Sequence, residues 1–564
     1  MLISLKRSGS ALVAFALVTG LAGAAMAQTP VENKARVQAL LTPGQVVYTS
    51  GSPFTFTIDV GNPNFGSSEA FTWFIYVQQM STGQKRYYPD FSTTVTDIFG
   101  NTGNFPAHEA FPLQNFSMLG PNGWNGNSVT PGLAGIGTGL SSPGRYNLVL
   151  ELRDANASTV RYSTRAQFSI VSSVQTLSGN VSGNMTLTPD QAYLLSGAVF
   201  VNNGVTLTIN PGTYIFGESA TNGTLVVSQG GVLEASGTWG QPIIFTSDQP
   251  VGERARADWG GLIINGFAPI NVPGGTAIGE GSTGTYGGTD AADSSGTLRF
   301  VRVEYAGTEF STDNELNGIA FQGVGNGTTV DHIQVHFNQD DGVEFFGGTV
   351  NVKYVLITNA RDDSIDWTDG WVGKGQFLVA QQNGEEGDQG IEADNNGDNN
   401  NLLPRSNPAL YNFTLIGDPD TTEGPESDDG MLVREGTAGT FRNFIVTGFK
   451  ETGLNIDQDA TTAQAQSGAL SFDNAIFFNN SPNFSPDVTP FITNKTIEVI
   501  DPMLVDPFNL WAPDFRPALG SPALDARRVV APPDDGFFDT SVDFLGGVNP
   551  LNDWTRGWTT SHPR

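Results

Sequence analysis

The sequence predicts an all-β protein: an N-terminal Ig-like β-sandwich followed by a right-handed parallel β-helix solenoid. Three observations carry this expectation. Residues 28–172 alternate apolar and polar side chains with period two between Gly, Pro and Asn turns. From residue 173, short β-rich runs recur about every 23 residues. Helical periodicity is scarce along a chain of 564 residues that contains 69 Gly and 32 Pro. That length exceeds one ordinary compact domain, so two modules are expected, one of them an elongated repeat body.

The first element is a targeting segment. Lys6 and Arg7 precede the apolar run "ALVAFALVTGLAGAAMA", which closes on Ala25-Met26-Ala27. A basic stretch, an apolar stretch and a small-residue site predict a signal peptide over 1–27, cleaved before Gln28. Export follows, to the periplasm, the outer cell surface or the medium. No later segment is long and apolar enough to span a membrane. The chain has no Cys, so packing and hydrogen bonds, aided by any bound ions, must supply stability. The formal net charge is −30. Nucleic acid and anionic lipid are thereby excluded as partners, since binding them needs cationic patches. Cations, neutral sugars and basic surfaces remain open.

The sandwich is predicted over 28–172. Tyr146, Leu148, Leu150 and Leu152 alternate with polar neighbours in "SPGRYNLVLELRD", which resembles a late strand of Ig-like bacterial surface modules. The Cys and Trp marks of antibody domains are absent, so the resemblance is architectural.

The solenoid is predicted over 173–525, with a cap or extension over 526–564. Its register follows from a small residue after a polar pair: Asn317-Gly318, Asp341-Gly342, Asp363-Ser364, Gln389-Gly390, Asp429-Gly430 and Thr452-Gly453. One long interval holds "ADNNGDNNNLLPRSNPA", which reads as a loop pushed out of the repeat. Leucine-rich repeats need a helix or an L-x-x-L-x-L pattern, and neither occurs. A β-helix of roughly a dozen coils is the remaining candidate. It should close in "DPMLVDPFNLWAPDFRPALGSPALD", residues 501–525.

The phrases "TINPGTYIFG", "DWGGLIINGFAPIN", "NELNGIAFQGVGNGTTVDHIQVHFNQDDGVEFFGGTVNVKYV", "GIEADNN", "PRSNPALYNFTLIG" and "NDWTRGWT" resemble exported bacterial right-handed β-helix, pectin-lyase-like surface proteins. The resemblance covers roughly 180–560. It implies the fold and export, and no established reaction.

Stacked coils bring equivalent residues about 4.8 Å apart. The alignment therefore yields two files of acids. One contains Asp340, Asp362, Asp388, Asp428 and Glu451; the other contains Glu344, Asp366 and Glu392. Such files repel themselves unless they splay into solvent, hold protons or bind cations. Ca²⁺ is the fitting cation for a set of carboxylate and carbonyl oxygens. The expected metal ligands are Asp340, Asp362, Glu344, Asp366, Asp388 and Glu392. The Asn-rich "EADNNGDNNN" would supply further oxygens, with Asp290 and Asp293 as a weaker cluster.

Two functional readings follow. In the first, the protein binds glycan or extracellular matrix without catalysis, assisted by Ca²⁺, with Trp367, Trp371 and Glu392 contacting the ligand. In the second, it is a polysaccharide lyase or glycoside hydrolase whose candidate catalytic acids are Asp341, Asp363 and Asp366. The bases nearest the acids in sequence are Lys353, Arg361, Lys374 and Arg434, none in a recognisable motif. Trp259, Trp367, Trp371, Trp511, Trp554 and Trp558 are many aromatics for this texture; they suit sugar stacking or core packing. His332 and His336 in "VDHIQVHFN" share one face, about 13 Å apart, and are expected to be surface residues that cannot chelate one metal together.

Overall fold

The computed structural model describes residues 160–561 apart from 312–313, 421, 423, 494 and 511. Before 160 it describes residues 38–43, 45–50, 56–61, 72–83, 85–87, 116–117 and 143–153. The predicted signal peptide and Trp511 lie outside the described residues. The chain divides into two compact units, 1–170 and 171–564.

Among the described residues, the first unit contains two antiparallel sheets. One pairs Gln38–Pro43, Phe56–Gly61 and Phe116–Ser117. The other runs in the order Val47–Thr49, Val160–Val171, Gly144–Arg153, Thr72–Gln79, Lys85–Tyr87. Antiparallel pairing is what period-two text requires when one face is packed. Leu148 and Leu150 are fully buried, and Tyr146 stacks on Phe168 at 5.6 Å.

The second unit is a solenoid of three parallel ladders. One ladder stacks Val303, Val335, Ile357, Ala380, Leu415, Val446 and Phe477 in direct register. A second stacks Ile264, Phe321, Phe345, Trp367, Ala393, Val433 and Ile456. The third stacks Leu298, Val330, Val352, Gly375, Leu410, Phe441 and Phe472. Apart from Gly375, these side chains form one continuous interior. Each coil alone cannot bury its apolar face, and stacking does so for all. The first ladder is twelve strands deep among the described residues. The parallel ladder ends at Ile497–Val499. Residues 501–525, expected to close the solenoid, instead carry an antiparallel pair, Leu504–Asp506 with Asp514–Pro517.

The small residue of the repeat has a steric cause. A Cβ at Gly342 would lie 2.3 Å from Ile357 Cγ2 and 2.6 Å from the Ser364 carbonyl oxygen. The chain crosses there directly above the next coil.

Between the third and first ladders, every coil from Gly296 onward turns a corner at a residue with positive φ: Phe300, His332, Tyr354, Phe377, Asn412, Asn443 and Asn474. The register stacks them. The rings of Phe300, His332, Tyr354 and Phe377 lie 4.4, 4.3 and 4.9 Å apart in turn. The Asn412, Asn443 and Asn474 amides donate to the carbonyls of Phe544, Val530 and Arg528. The C-terminal segment thus runs along this corner against the order of the coils, and Trp554 and Trp558 pack edge-on to His332.

Neither histidine is a surface residue: the strap covers His332, and His336 packs against Tyr305 and Phe337. Ile333 and Val335 do point inward, and His332 and His336 point outward. That outer face is covered, however. His332 is sandwiched between Phe300 and Tyr354. His336 is fully buried, with Nδ1 2.7 Å from Thr358 Oγ1.

Residues 266–295 form a second cover. Ile270 and Tyr286 pack on Ile263, Leu316, Ala320 and Phe346. One coil earlier, Leu316 and Ala320 stand where Asp340 and Glu344 stand in the next, and they are apolar because this cover buries them.

Candidate functional site

Below the cover the two files turn acidic and form a seam. In the second ladder Ala320 faces Glu344, Glu344 faces Asp366, and Asp366 faces Glu392. Asp362, Asp388, Asp428 and Glu451 follow one another in a backbone-bonded column, the N–H groups of the last three each donating to the carbonyl of the acid before. Carboxylate oxygens of Asp340, Asp341 and Asp362 lie within 4.8 Å of one another. The same holds for Asp341, Glu344 and Asp366, and for Asp362, Asp363 and Asp388. Asp341 and Asp362 each belong to two of these groups, so the seam is continuous across three coils.

Burial grades across the seam. Asp362 is exposed, and Asp340, Asp388 and Glu392 are half-buried. Asp341, Asp363, Glu344 and Asp366 are only 5–9% exposed. Charges this close in so little water disfavour ionisation. Burial first, then the Asp366 charge, pushes Glu344 well above the usual carboxylate range. Burial and Glu392 do the same to Asp366. Burial, with Asp362 next, raises Asp340 and Asp388 to about 7. Burial and Asp394 raise Glu392 to about 8.

Asp341 and Asp363 also have a structural task. Asp341 Oδ1 accepts the Asp363 backbone N–H at 3.0 Å. Asp363 Oδ1 accepts that of Gln389 at 2.6 Å, and Gln389 Oε1 accepts that of Asp429 at 2.9 Å. These side chains tie each coil to the next.

The cations expected nearby are engaged elsewhere or lie at the edge of the seam. Lys353 donates to the Phe537 carbonyl and Lys374 pairs with Asp535, both on the strap. Arg434 closes the far end of the seam, bonding Glu392 and both oxygens of Asp394. Arg361 lies 3.9 Å from Glu386, and its charge partly offsets the rise of Asp362 and Asp340 at the exposed edge of the seam. Among the described residues, no Lys or Arg forms an ion pair with Asp340, Asp341, Glu344, Asp362, Asp363, Asp366 or Asp388.

Trp367 and Trp371 are not ligand contacts. Both are fully buried. The alternation that turns Asp366 outward turns Trp367 inward, above Phe345 in the register. Its Nε1 donates to Thr437 Oγ1 at 3.2 Å, and Trp371 stacks on Phe345 at 3.9 Å. Trp259, Trp554 and Trp558 are buried too. The Asn-rich loop also serves the fold: Asn395 and Asn396 bond Asn271, and Asn396 bonds Asp369, pinning the cover. Asp290 and Asp293 bond groups of their own loop.

Two participants lie outside the acidic files: Glu280 carries no periodic signal, and Asn317 stands in the repeat register without being an acid. Glu280 comes from the cover; burial, with Asp340 and Glu315 next, raises it to about 8. Asn317 is fully buried and donates Nδ2 to Glu344 Oε2 at 2.5 Å and to Glu280 Oε2 at 3.5 Å. Asn317 Oδ1 and Asp366 Oδ1 are both buried without a hydrogen-bond partner. A buried acceptor left unpaired is costly, and the Asp366 oxygen belongs to the Asp341, Glu344 and Asp366 carboxylates, an oxygen-only donor set that fits a hard cation. Ca²⁺ would be held by Asp341, Glu344 and Asp366.

A pectate-lyase-like β-helix domain matches residues 179–502, more than half of the chain. The chain belongs to that family. The match begins with the first coils of the solenoid and ends just past its last parallel strand. Among solved structures, the family 28 exopolygalacturonase of Yersinia enterocolitica aligns at 12% identity over 79% of this chain and 85% of that one, with a TM-score of 0.17. Chains that superpose so poorly do not inform each other's chemistry. No curated protein matches the chain in sequence.

Proposed function

We propose that this pectate-lyase-like β-helix protein binds glycan outside the cytoplasm, without turning it over, through Ca²⁺ held on the carboxylate seam. The observation that carries the reading is the Asp341–Glu344–Asp366 group: three crowded acids, one of whose buried oxygens has no hydrogen-bond partner, with no Lys or Arg in an ion pair with them among the described residues. Such a group is relieved by a divalent ion, whose remaining coordination positions can take sugar hydroxyl or carboxylate oxygens. The basic and apolar N-terminal sequence supports export. Against turnover stands the use of Asp341 and Asp363 as backbone ladder residues. The engagement of Arg434 with Glu392 and Asp394 also leaves that guanidinium poorly placed as a base.

The test pairs binding with turnover. Full-length protein is incubated with acidic and neutral polysaccharides in Ca²⁺ and in EGTA, following both retention and product release. Retention in Ca²⁺ that disappears in EGTA and in Asp366→Asn, without products, is the expected result. Product release that vanishes in Asp363→Asn would replace this reading by the hydrolase or lyase reading.

A further inference from the structure

One exposed indole lies away from the seam. Trp239 sits at the tip of a tight turn in which Thr238 and Gln241 exchange two backbone hydrogen bonds of 3.0 Å. It is 59% exposed, whereas Trp259, Trp367, Trp371, Trp554 and Trp558 are at most 7% exposed. Its orientation is fixed. Nε1 donates to the Arg556 carbonyl at 2.8 Å. The ring lies against Gly557, where a Cβ would fall 2.2 Å from Trp239 Cζ2. Gly557 also has φ 87°, so glycine is needed there for backbone and for approach. The strap beneath is pinned by charge: Arg556 pairs with Asp514 and Asp553, and Arg516 with Asp514. Among the described residues the ring makes no ring–ring or cation–ring contact.

An apolar side chain at a turn tip is normally free to move. This one is locked by a hydrogen bond and a glycine, with ring surface left to water. A flat, immobilised indole beside charged hydrogen-bonding groups has the form needed to meet the C–H face of a sugar ring while its hydroxyls find partners at the edge. Docked proteins usually cover contiguous apolar patches of several hundred Å²; a single ring supported by ion pairs suits a smaller, amphipathic ligand.

We propose that Trp239 is a stacking platform for a pyranose ring, a neutral-glycan subsite separate from the seam and independent of cations. It rests on the reading of the protein as a glycan binder and gives that binder a second point of attachment.

The experiment uses the full chain in EGTA with neutral hexasaccharides of glucose, mannose, xylose and galactose. Affinity is measured by titration calorimetry. Trp239 is followed separately by N-bromosuccinimide oxidation read residue by residue in a mass spectrometer. At least one hexasaccharide is expected to bind, to protect Trp239 from oxidation, and to lose tenfold or more affinity in Trp239→Ala. Trp239→Phe, which keeps a ring, should retain more affinity than Trp239→Ala. Binding unchanged in Trp239→Ala, or no member of the set binding, overturns the platform. If these arms succeed while Ca²⁺-dependent retention of acidic glycan fails, the seam reading alone falls.

Discussion

Replacing Asp366 by Asn removes the central charge of the seam while keeping its shape. Asp366 faces Glu344 in the coil before and Glu392 in the coil after. At a coil spacing of about 4.8 Å and an effective dielectric of about 20, each ionised pair repels by about 3.5 kcal/mol. Shared protons relieve part of this, so a net gain of about 2 kcal/mol is expected for the metal-free variant near pH 8.5, where fewer protons remain. With roughly 2.1 cal/mol/K of unfolding entropy per residue over a unit of about 390 residues, that raises Tm by about 2–3 °C. Ca²⁺ should reverse the order. At a concentration about 100 times its Kd it stabilises the wild type by about 2.7 kcal/mol, and the variant should gain little. Scanning calorimetry of both proteins in EGTA and in Ca²⁺ reads all four values. A variant that melts below wild type in EGTA would show that Asp366 is a bonded structural residue, and the repulsion argument would fail.

Four further outcomes follow from the same structure. Asp340 and Asp388 near 7, and Glu280 and Glu392 near 8, are raised above their ordinary values of 3.8 and 4.5, so the folded state holds the extra protons. Metal-free Tm should therefore fall as pH rises from about 5.5 to 8.5; a rise across that window contradicts the assignment. Ca²⁺ binding at neutral pH should release protons, seen as a dependence of the calorimetric heat on buffer ionisation enthalpy. Trp371→Ala should cost about 3–5 kcal/mol, because the ring is fully buried against Phe345; a melting point within a degree of wild type would return Trp371 to the surface. Asn443→Ala removes two hydrogen bonds to Val530, of 2.7 and 3.0 Å, each worth about 1 kcal/mol, and should speed tryptic cleavage after Arg527 or Arg528.

Much of this site was legible before any coordinates. The polar pair and the small residue marked one place in each coil, and stacking then fixed which residues are neighbours. Glu344, Asp366 and Glu392 share a file for that reason, although 22 and 26 residues separate them. The same period-two rule, carried one residue further, would have turned Trp367 inward; composition had suggested a sugar contact instead.

Repetition made the solenoid and its seam readable, because a coil's environment is set by near-identical coils above and below. What lies across the coils obeys no period. The strap from about 528 to 560 covers His332, the cover at 266–295 brings in Glu280, and Gly557 immobilises Trp239 from 318 residues away. Those contacts depend on where two distant stretches of chain meet in space, which alternation along a strand does not encode. The sequence alone could place the acids in files; only the folded chain decided which of them are denied water, and that denial is what a cation would answer.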